Sequence, residues 1–264
     1  MDLYNFITTG GSADSAAGDS GADYVVPVDN NAASSDGTPA NYLTGGDAST
    51  LRITAEDSFI FGGWVKANSL PASASMILTK GQTSNGNDTY SLTIDPTGFV
   101  YFNVAQTDPG FGLGTTSDDA LVPATKAFVL AWVNAATDTV NIKINASTTS
   151  TETLESAALT DFGGDFRFLA DPSSQWGLDG IIDEWFFCKN PADLAAALTL
   201  IGTTVYNSGD GIHYSELTAG NKTTLGLVSW WTMDENSGDS RTDSEGTNTL
   251  TLAGTVSKVA TLIV

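Results

Sequence analysis

The chain has 264 residues, with 10 Lys+Arg against 31 Asp+Glu, a net charge of −21, one His and one Cys. Such a charge repels phosphate backbones and argues against a nucleic-acid partner. One Cys makes no internal disulfide or Cys-based zinc site, one His makes no His cluster, and no apolar run reaches the roughly 20 residues a membrane helix needs.

Hydrophobic residues make up 41% of the chain, with 6 Trp, 7 Tyr and 12 Phe, which is enough to build a sizeable core. Charged residues are only 16%, so the polar surface is mostly Thr, Ser, Asn and Gly, a β-rich composition. The acidity serves solubility and can also attract divalent cations.

Met1 to Phe6 lacks the basic and long apolar regions of a secretory leader. This predicts a chain that acts inside the cell, or on a particle assembled there, unless a leader has been removed. Residues 9–49 are rich in Gly, Ala, Ser, Thr, Asn and Asp, and residues 1–23 read as an arm. From Leu51 onward, strands alternate with turn residues. They are expected over 59–66, 76–80, 90–94, 99–104, 128–133, 139–145, 166–169 and 180–188. Asp95-Pro96-Thr97-Gly98 is a hairpin signal, because Pro presets φ and Gly takes the positive-φ position. Val140, Ile142 and Ile144 alternate with Asn141, Lys143 and Asn145, the period of a half-buried strand.

One short helix is predicted, with Asn190 as cap, Pro191 in the first turn, and Leu194 to Leu200 as helix formers. Everything else reads as strands at short intervals, hence a sandwich or barrel. Residues 226–235, 249–252 and 259–264 are again strand-like. The apolar end Leu262-Ile263-Val264 must be buried or paired.

Several segments carry a family resemblance. Ser58-Phe-Ile-Phe-Gly-Gly-Trp-Val-Lys66 resembles the early strand of LamG-like (laminin G, concanavalin A-like lectin/glucanase) jelly rolls. Met76 to Lys80, Tyr90 to Ile94, the 127–144 hairpin and Gly180-Ile-Ile-Asp-Glu-Trp-Phe186 continue the pattern. The resemblance implies an all-β concanavalin A-like jelly-roll sandwich over 24–215, with an N-terminal arm. Leu227-Val-Ser-Trp-Trp-Thr-Met-Asp-Glu235 is similar to the segment that normally opens such a domain, yet here it comes last. Residues 216–264 are therefore expected to complete the sandwich, in their own subunit or in a neighbour.

Glycosidases on this fold resemble Glu-x-Asp-x-x-Glu, and Asp179-Gly-Ile-Ile-Asp183-Glu184 lacks that register. In a regular strand Asp183 and Glu184 point to opposite faces. His213 reads as a surface residue and Cys188 as buried and inert. The resemblance implies a structural Ca²⁺ held by Asp183, a carbonyl of Gly45 or Gly46, and an oxygen of Asp234 or Glu235. It also implies glycan contacts, for which Phe111 and Trp176 are the candidate aromatics.

The expected function is a non-catalytic structural surface protein, a bacteriophage virion decoration or fibre-like subunit. Its expected partners are other virion or surface proteins and copies of itself, with no nucleic acid and no membrane insertion. The alternative is a calcium-dependent carbohydrate-binding adhesion module at a cell surface or outside the cell.

Overall fold

The computed structural model describes residues 31–81, 88–105, 112–154, 159–171, 173 and 175–263. The arm expected over 1–23 and the candidate Phe111 lie outside the described residues.

Two antiparallel sheets form a sandwich. The first contains β1 (Asn31–Asp36), β3 (Phe59–Ala67), β8 (Ala127–Asn134), β9 (Thr139–Ile144), β10 (Ser150–Thr153), β12 (Asp179–Lys189), β13 (Leu227–Trp231) and β15 (Ser257–Ala260). Its order is β10-β9-β8-β3-β12-β1-β15, with β13 also on β12. The second contains β2 (Tyr42–Gly46), β4 (Ser75–Gly81), β5 (Asp88–Ile94), β6 (Phe99–Ala105), β7 (Gly112–Ala120), β11 (Asp165–Phe168) and β14 (Thr251–Ala253). Its order is β14-β2-β11-β4-β5-β6-β7. The Asp95–Gly98 turn joins β5 to β6. Asp95 Oδ1 accepts the Thr97 and Phe99 N–H groups at 2.8 and 3.0 Å, and Gly98 has φ 91°.

Between the sheets lies an aromatic core that includes Phe59, Phe61, Tyr90, Phe102, Phe166 and Trp185. Each such side chain contributes about 1.5–3 kcal/mol by leaving water. The Gly62-Gly63 pair has a packing reason. A Cβ at Gly62 would lie 2.3 Å from the Phe186 ring, and one at Gly63 would lie 2.4 Å from the Trp185 ring. The two aromatic rings of β12 lie flat against opposite faces of β3 only because β3 has no side chain there.

A second apolar layer covers the outward face of the first sheet. It joins Ile60, Trp64, Phe128, Phe186 and Trp230 to the helical segments and to Leu262 and Ile263. Helix α1 (Leu194–Leu200) is capped by Asp193, whose carboxylate accepts the Ala196 N–H at 3.0 Å. Asn190, the expected cap, instead accepts the Ser58 N–H and donates to Asp57. α1 runs on into a π turn over Ile201–Val205. A second helix, α2 (Ala219–Leu225), departs from the expectation of one. Thr218 caps it, and Gly226 ends it in the left-handed region at φ 61°.

The C-terminal strands pair within their own chain. β13 runs antiparallel to residues 185–188 of β12, and β1 runs antiparallel to residues 179–182 on the same side. Residues 227–231 and 31–36 thus make one composite strand position beside β12. β14 extends the second sheet next to β2, and β15 borders β1. Among the described residues, no helix is long and apolar enough to cross a membrane.

Candidate functional site

The seam of the composite strand falls at Asp183 and Glu184. Asp183 pairs with Trp64 and Phe186 with Gly62, so two residues of β12 oppose Gly63 alone. This is a β-bulge, and Glu184 adopts φ 47° within it. The bulge puts Asp183 and Glu184 on the same outward side, correcting the expectation of opposite faces.

Both are nearly sealed from solvent, at 1% and 2% exposure. Glu184 Oε1 lies 2.9 Å from His213 Nδ1, and its Oε2 accepts from Trp230 Nε1. His213 is therefore a half-buried partner of an acid and not the free surface residue expected. Asp183 Oδ2 accepts from Thr261 Oγ1 and the Leu262 N–H, both at 2.7 Å, and so fastens the C-terminal segment. Asp234 Oδ1 accepts the Asn31 N–H at 2.6 Å, tying the end of β13 to the start of β1.

Burial pushes the Asp183 carboxyl up to about 8, and the neighbouring Glu184 and Asp234 charges push the same way. Burial likewise raises Glu184. The hydrogen bond to Glu184 raises His213. Asp183 Oδ1 is buried with no hydrogen-bond partner. A proton on Asp183 at neutral pH makes that arrangement tolerable, because a neutral carboxyl has no charge to solvate.

The expected calcium donors do not converge. Asp183 and Asp234 meet at the seam. Glu235 is engaged in its own loop by the Thr242 N–H and lies 3.8 Å from Arg241 Nε. Gly45 and Gly46 belong to the second sheet, where a Cβ on Gly45 would face Leu250, Phe166 and Leu51. Among the described residues, no three His, Cys, Asp or Glu side chains are grouped to hold a metal ion. Ca²⁺ takes six to eight oxygens, more than the Asp183 and Asp234 carboxylates that meet at the seam supply.

The second sheet presents a different surface. Leu43, Leu78, Leu92, Phe102 and Phe168 point into the core. By alternation, their neighbours Thr44, Arg167, Thr79, Ser91, Asn103 and Gly114 form one cross-strand row on the outward face. The adjacent row runs Met76, Thr93, Tyr101, Thr116. Tyr101 is 37% exposed. The Arg167 guanidinium lies 4.4 Å from the Tyr42 ring centre.

Trp176, 40% exposed, sits at the same end of the sheet as Tyr101. Its loop is shaped by Asp171, whose Oδ1 accepts the Gln175 and Trp176 N–H groups at 2.6 and 2.7 Å. Ser75 Oγ bonds the Gly177 carbonyl at 3.1 Å and docks that loop on β4.

No protein-family model and no curated protein sequence matches the chain. Solved structures do. A candidate carbohydrate-binding protein from Bacteroides ovatus superposes with a TM-score of 0.58 at 11% identity, over 87% of this chain and 60% of that one. This chain thus spans less than two thirds of that structure's length. A heptameric SAP-like pentraxin from Limulus polyphemus superposes with a TM-score of 0.52 at 11% identity, over 90% of this chain and 98% of that one. The fold is a concanavalin A-like jelly roll.

In this jelly roll the outward face of one sheet is roofed by helices and the C-terminal segment; on the other, Tyr101 is exposed and Asn103 half-buried, while Thr79, Ser91 and Arg167 are buried. Of the site residues read from sequence, Asp183 and Asp234 come together, and Trp176 is exposed in a loop that docks on β4. Tyr101, Asn103 and His213 were missed as site residues. Tyr101 and Asn103 alternate with Val100, Phe102 and Val104, and that period could have marked them as outward. Nothing in the sequence announces the Glu184 bulge that brings His213 in.

Proposed function

We propose that this chain is a non-catalytic structural surface protein with a lectin-type fold. In this reading it is a decoration or fibre-like subunit of a bacteriophage virion that binds glycan through the outward face of its second sheet. One observation carries the binding role. An exposed tyrosine ring, Tyr101, stands between the half-buried Thr93 and Thr116 in register, with the half-buried Asn103 on the same face. An aromatic platform beside hydroxyl and amide groups matches a sugar, which has an apolar ring face and a rim of hydroxyls.

Burial of Asp183 and Glu184 supports a non-catalytic role, since glycoside hydrolysis needs two carboxylates flanking an accessible bond. The virion setting draws its support from the sequence. The chain is acidic and rich in Thr, Ser and Gly, a polar composition suited to the solvent-facing surface of a particle.

Binding is tested on a glycan array with the intact chain and with Tyr101→Ala and Asn103→Ala. The expected result is saturable binding to a restricted glycan set, weakened about tenfold or more by Tyr101→Ala, the scale of a lost aromatic platform. Binding that both variants leave intact would put the site elsewhere. Electron microscopy of the native source tests the setting. A regular shell or spike bearing the chain supports the virion role, whereas free soluble protein favours the adhesion module.

A further inference from the structure

We infer that a cleft on the opposite side of the molecule is a second binding site, one that takes a carboxylate-bearing sugar of the uronate type. The cleft measures about 390 Å³ and is lined by Lys143, Ala146, Gly202, Tyr206 and Ser208. It lies on the outward side of the first sheet, between the β9 end of the β8–β9 hairpin and the π turn that follows α1.

Three independent features converge there. The first is charge. Arg52, Lys80, Arg167, Lys189, Lys222 and Arg241 each lie within ion-pair distance of a carboxylate. The ammonium of Lys143, like those of Lys66, Lys126 and Lys258, has no ion-pair or hydrogen-bond partner among the described residues, and of these four it is the one that lines the cleft. Its neighbours on β9, Ile142 and Ile144, point into the core, so its stem leaves on the outward side. An ammonium left unpaired at the edge of a cleft is placed for an anion from outside.

The second feature is the backbone. The Tyr206 N–H bonds the Ile201 carbonyl at 2.8 Å, an i→i+5 link that widens the turn. Such π turns recur at functional sites. The widening leaves open space at Gly202, where a Cβ would meet nothing within 4 Å. Asn207 and Ser208 follow with φ 45° and 57°, two consecutive residues other than glycine in the left-handed region. Backbone of this kind costs energy and concentrates where a ligand is held.

The third is the ring. Tyr206 stacks on Trp64 at 6.0 Å between centroids and leans on Phe128 at 5.6 Å. Its orientation is thus fixed before any ligand arrives. Lys126 adds a second cation nearby, its ammonium 4.9 Å from the Trp64 ring centre. Together these supply a charge for a carboxylate, hydroxyls from Tyr206 and Ser208 for a sugar rim, and a volume within the range of small-ligand pockets.

The test is isothermal titration of the full chain, at low salt, with sodium glucuronate, glucose and sodium sulfate as separate probes. Glucuronate is expected to bind at least about tenfold more tightly than either glucose or sulfate, the scale of one charge-assisted contact combined with ring recognition. Lys143→Gln should lose about that factor and Lys143→Arg should retain most of it. Gly202→Leu should block the cleft sterically. Lys258→Gln, an equal change of net charge on an edge strand, should leave glucuronate binding unchanged. Circular dichroism confirms that each variant is folded.

Glucose or sulfate binding as tightly as glucuronate overturns the proposal. So does glucuronate binding that survives both Lys143→Gln and Gly202→Leu, or no binding of glucuronate at all. These variants are distinct from Tyr101→Ala and Asn103→Ala, so each site can fail alone.

Discussion

Asp183 is held by the C-terminal segment it holds, and its titration should be readable in the stability of the whole chain. Its folded carboxyl is pushed up to about 8 by burial, against 3.8 for a free aspartate. A raised acid favours the protonated fold. The stabilisation is complete below the unfolded value and drains away as pH climbs toward 8. The loss for this one group approaches about 1.4 kcal/mol per pH unit across that window. Asp183→Asn keeps a carbonyl oxygen for Thr261 and Leu262 but cannot ionise. Urea unfolding at pH 5, 6, 7 and 8 should show the variant gaining on the parent at each step. A constant difference across the series would mean that Asp183 is not protonated in the fold. EDTA is expected to leave the melting temperature unmoved, because among the described residues no three His, Cys, Asp or Glu side chains are grouped to hold a metal ion. The candidate site was legible here only in part. The acids of the seam could be named from sequence, but their union with His213 depends on one bulged residue, and a bulge leaves no compositional trace.

At the scale of elements, β3 and β12 are the pair on which the sandwich turns. Gly63 is occupied by the Trp185 ring and Gly202 by nothing, so the same substitution should have opposite consequences. Gly63→Ala forces the ring or the strand to move and should cost about 1–3 kcal/mol, an overpacking penalty. Gly202→Ala should be neutral or stabilising by up to about 1 kcal/mol, since Ala is the better helix former. Chemical denaturation of the two variants side by side measures both. Elements with strong periodicity were legible. β9 with its Val140-Ile142-Ile144 stripe and the β5–β6 hairpin with its Pro-Gly turn fall where their residues say they should. β1 was not. Its sequence, Asn31-Ala-Ala-Ser-Ser-Asp36, has no β-branched or aromatic residue. Its small side chains are what let it lie between β12 and β15, with Ala33 facing the core and Ala32 facing the outer apolar layer. α2 carried its signal in Thr218 and Gly226, cap and stop, but with seven residues and few apolar positions it offered little period to read.

At the scale of the molecule, the composite strand makes a prediction about connectivity. β13 and β1 occupy successive halves of one strand position beside β12, and their junction is closed by the Asp234–Asn31 hydrogen bond. The C-terminal segment ends beside the same junction, at Thr261 and Leu262 on Asp183. The position is filled in the order β13 then β1, although the chain visits β1 first. A sandwich in which β13 precedes β1 in space but follows it in the chain should tolerate the reverse order. Joining Val264 to Met1 and opening the chain at the exposed Ser215–Glu216 bond puts α2 and β13 first and leaves every strand pairing intact. Permutation at exposed sites generally preserves a fold, because the contacts are unchanged and only loop entropy differs. The permutant should therefore unfold cooperatively, with the same circular dichroism spectrum and a stability within about 1–2 kcal/mol of the parent, the scale set by a rearranged loop. Collapse of the permutant to an uncooperative state would mean that β1 must pair before β13 can dock. In that case the late position of β13 would be a requirement of folding and not a displaced beginning.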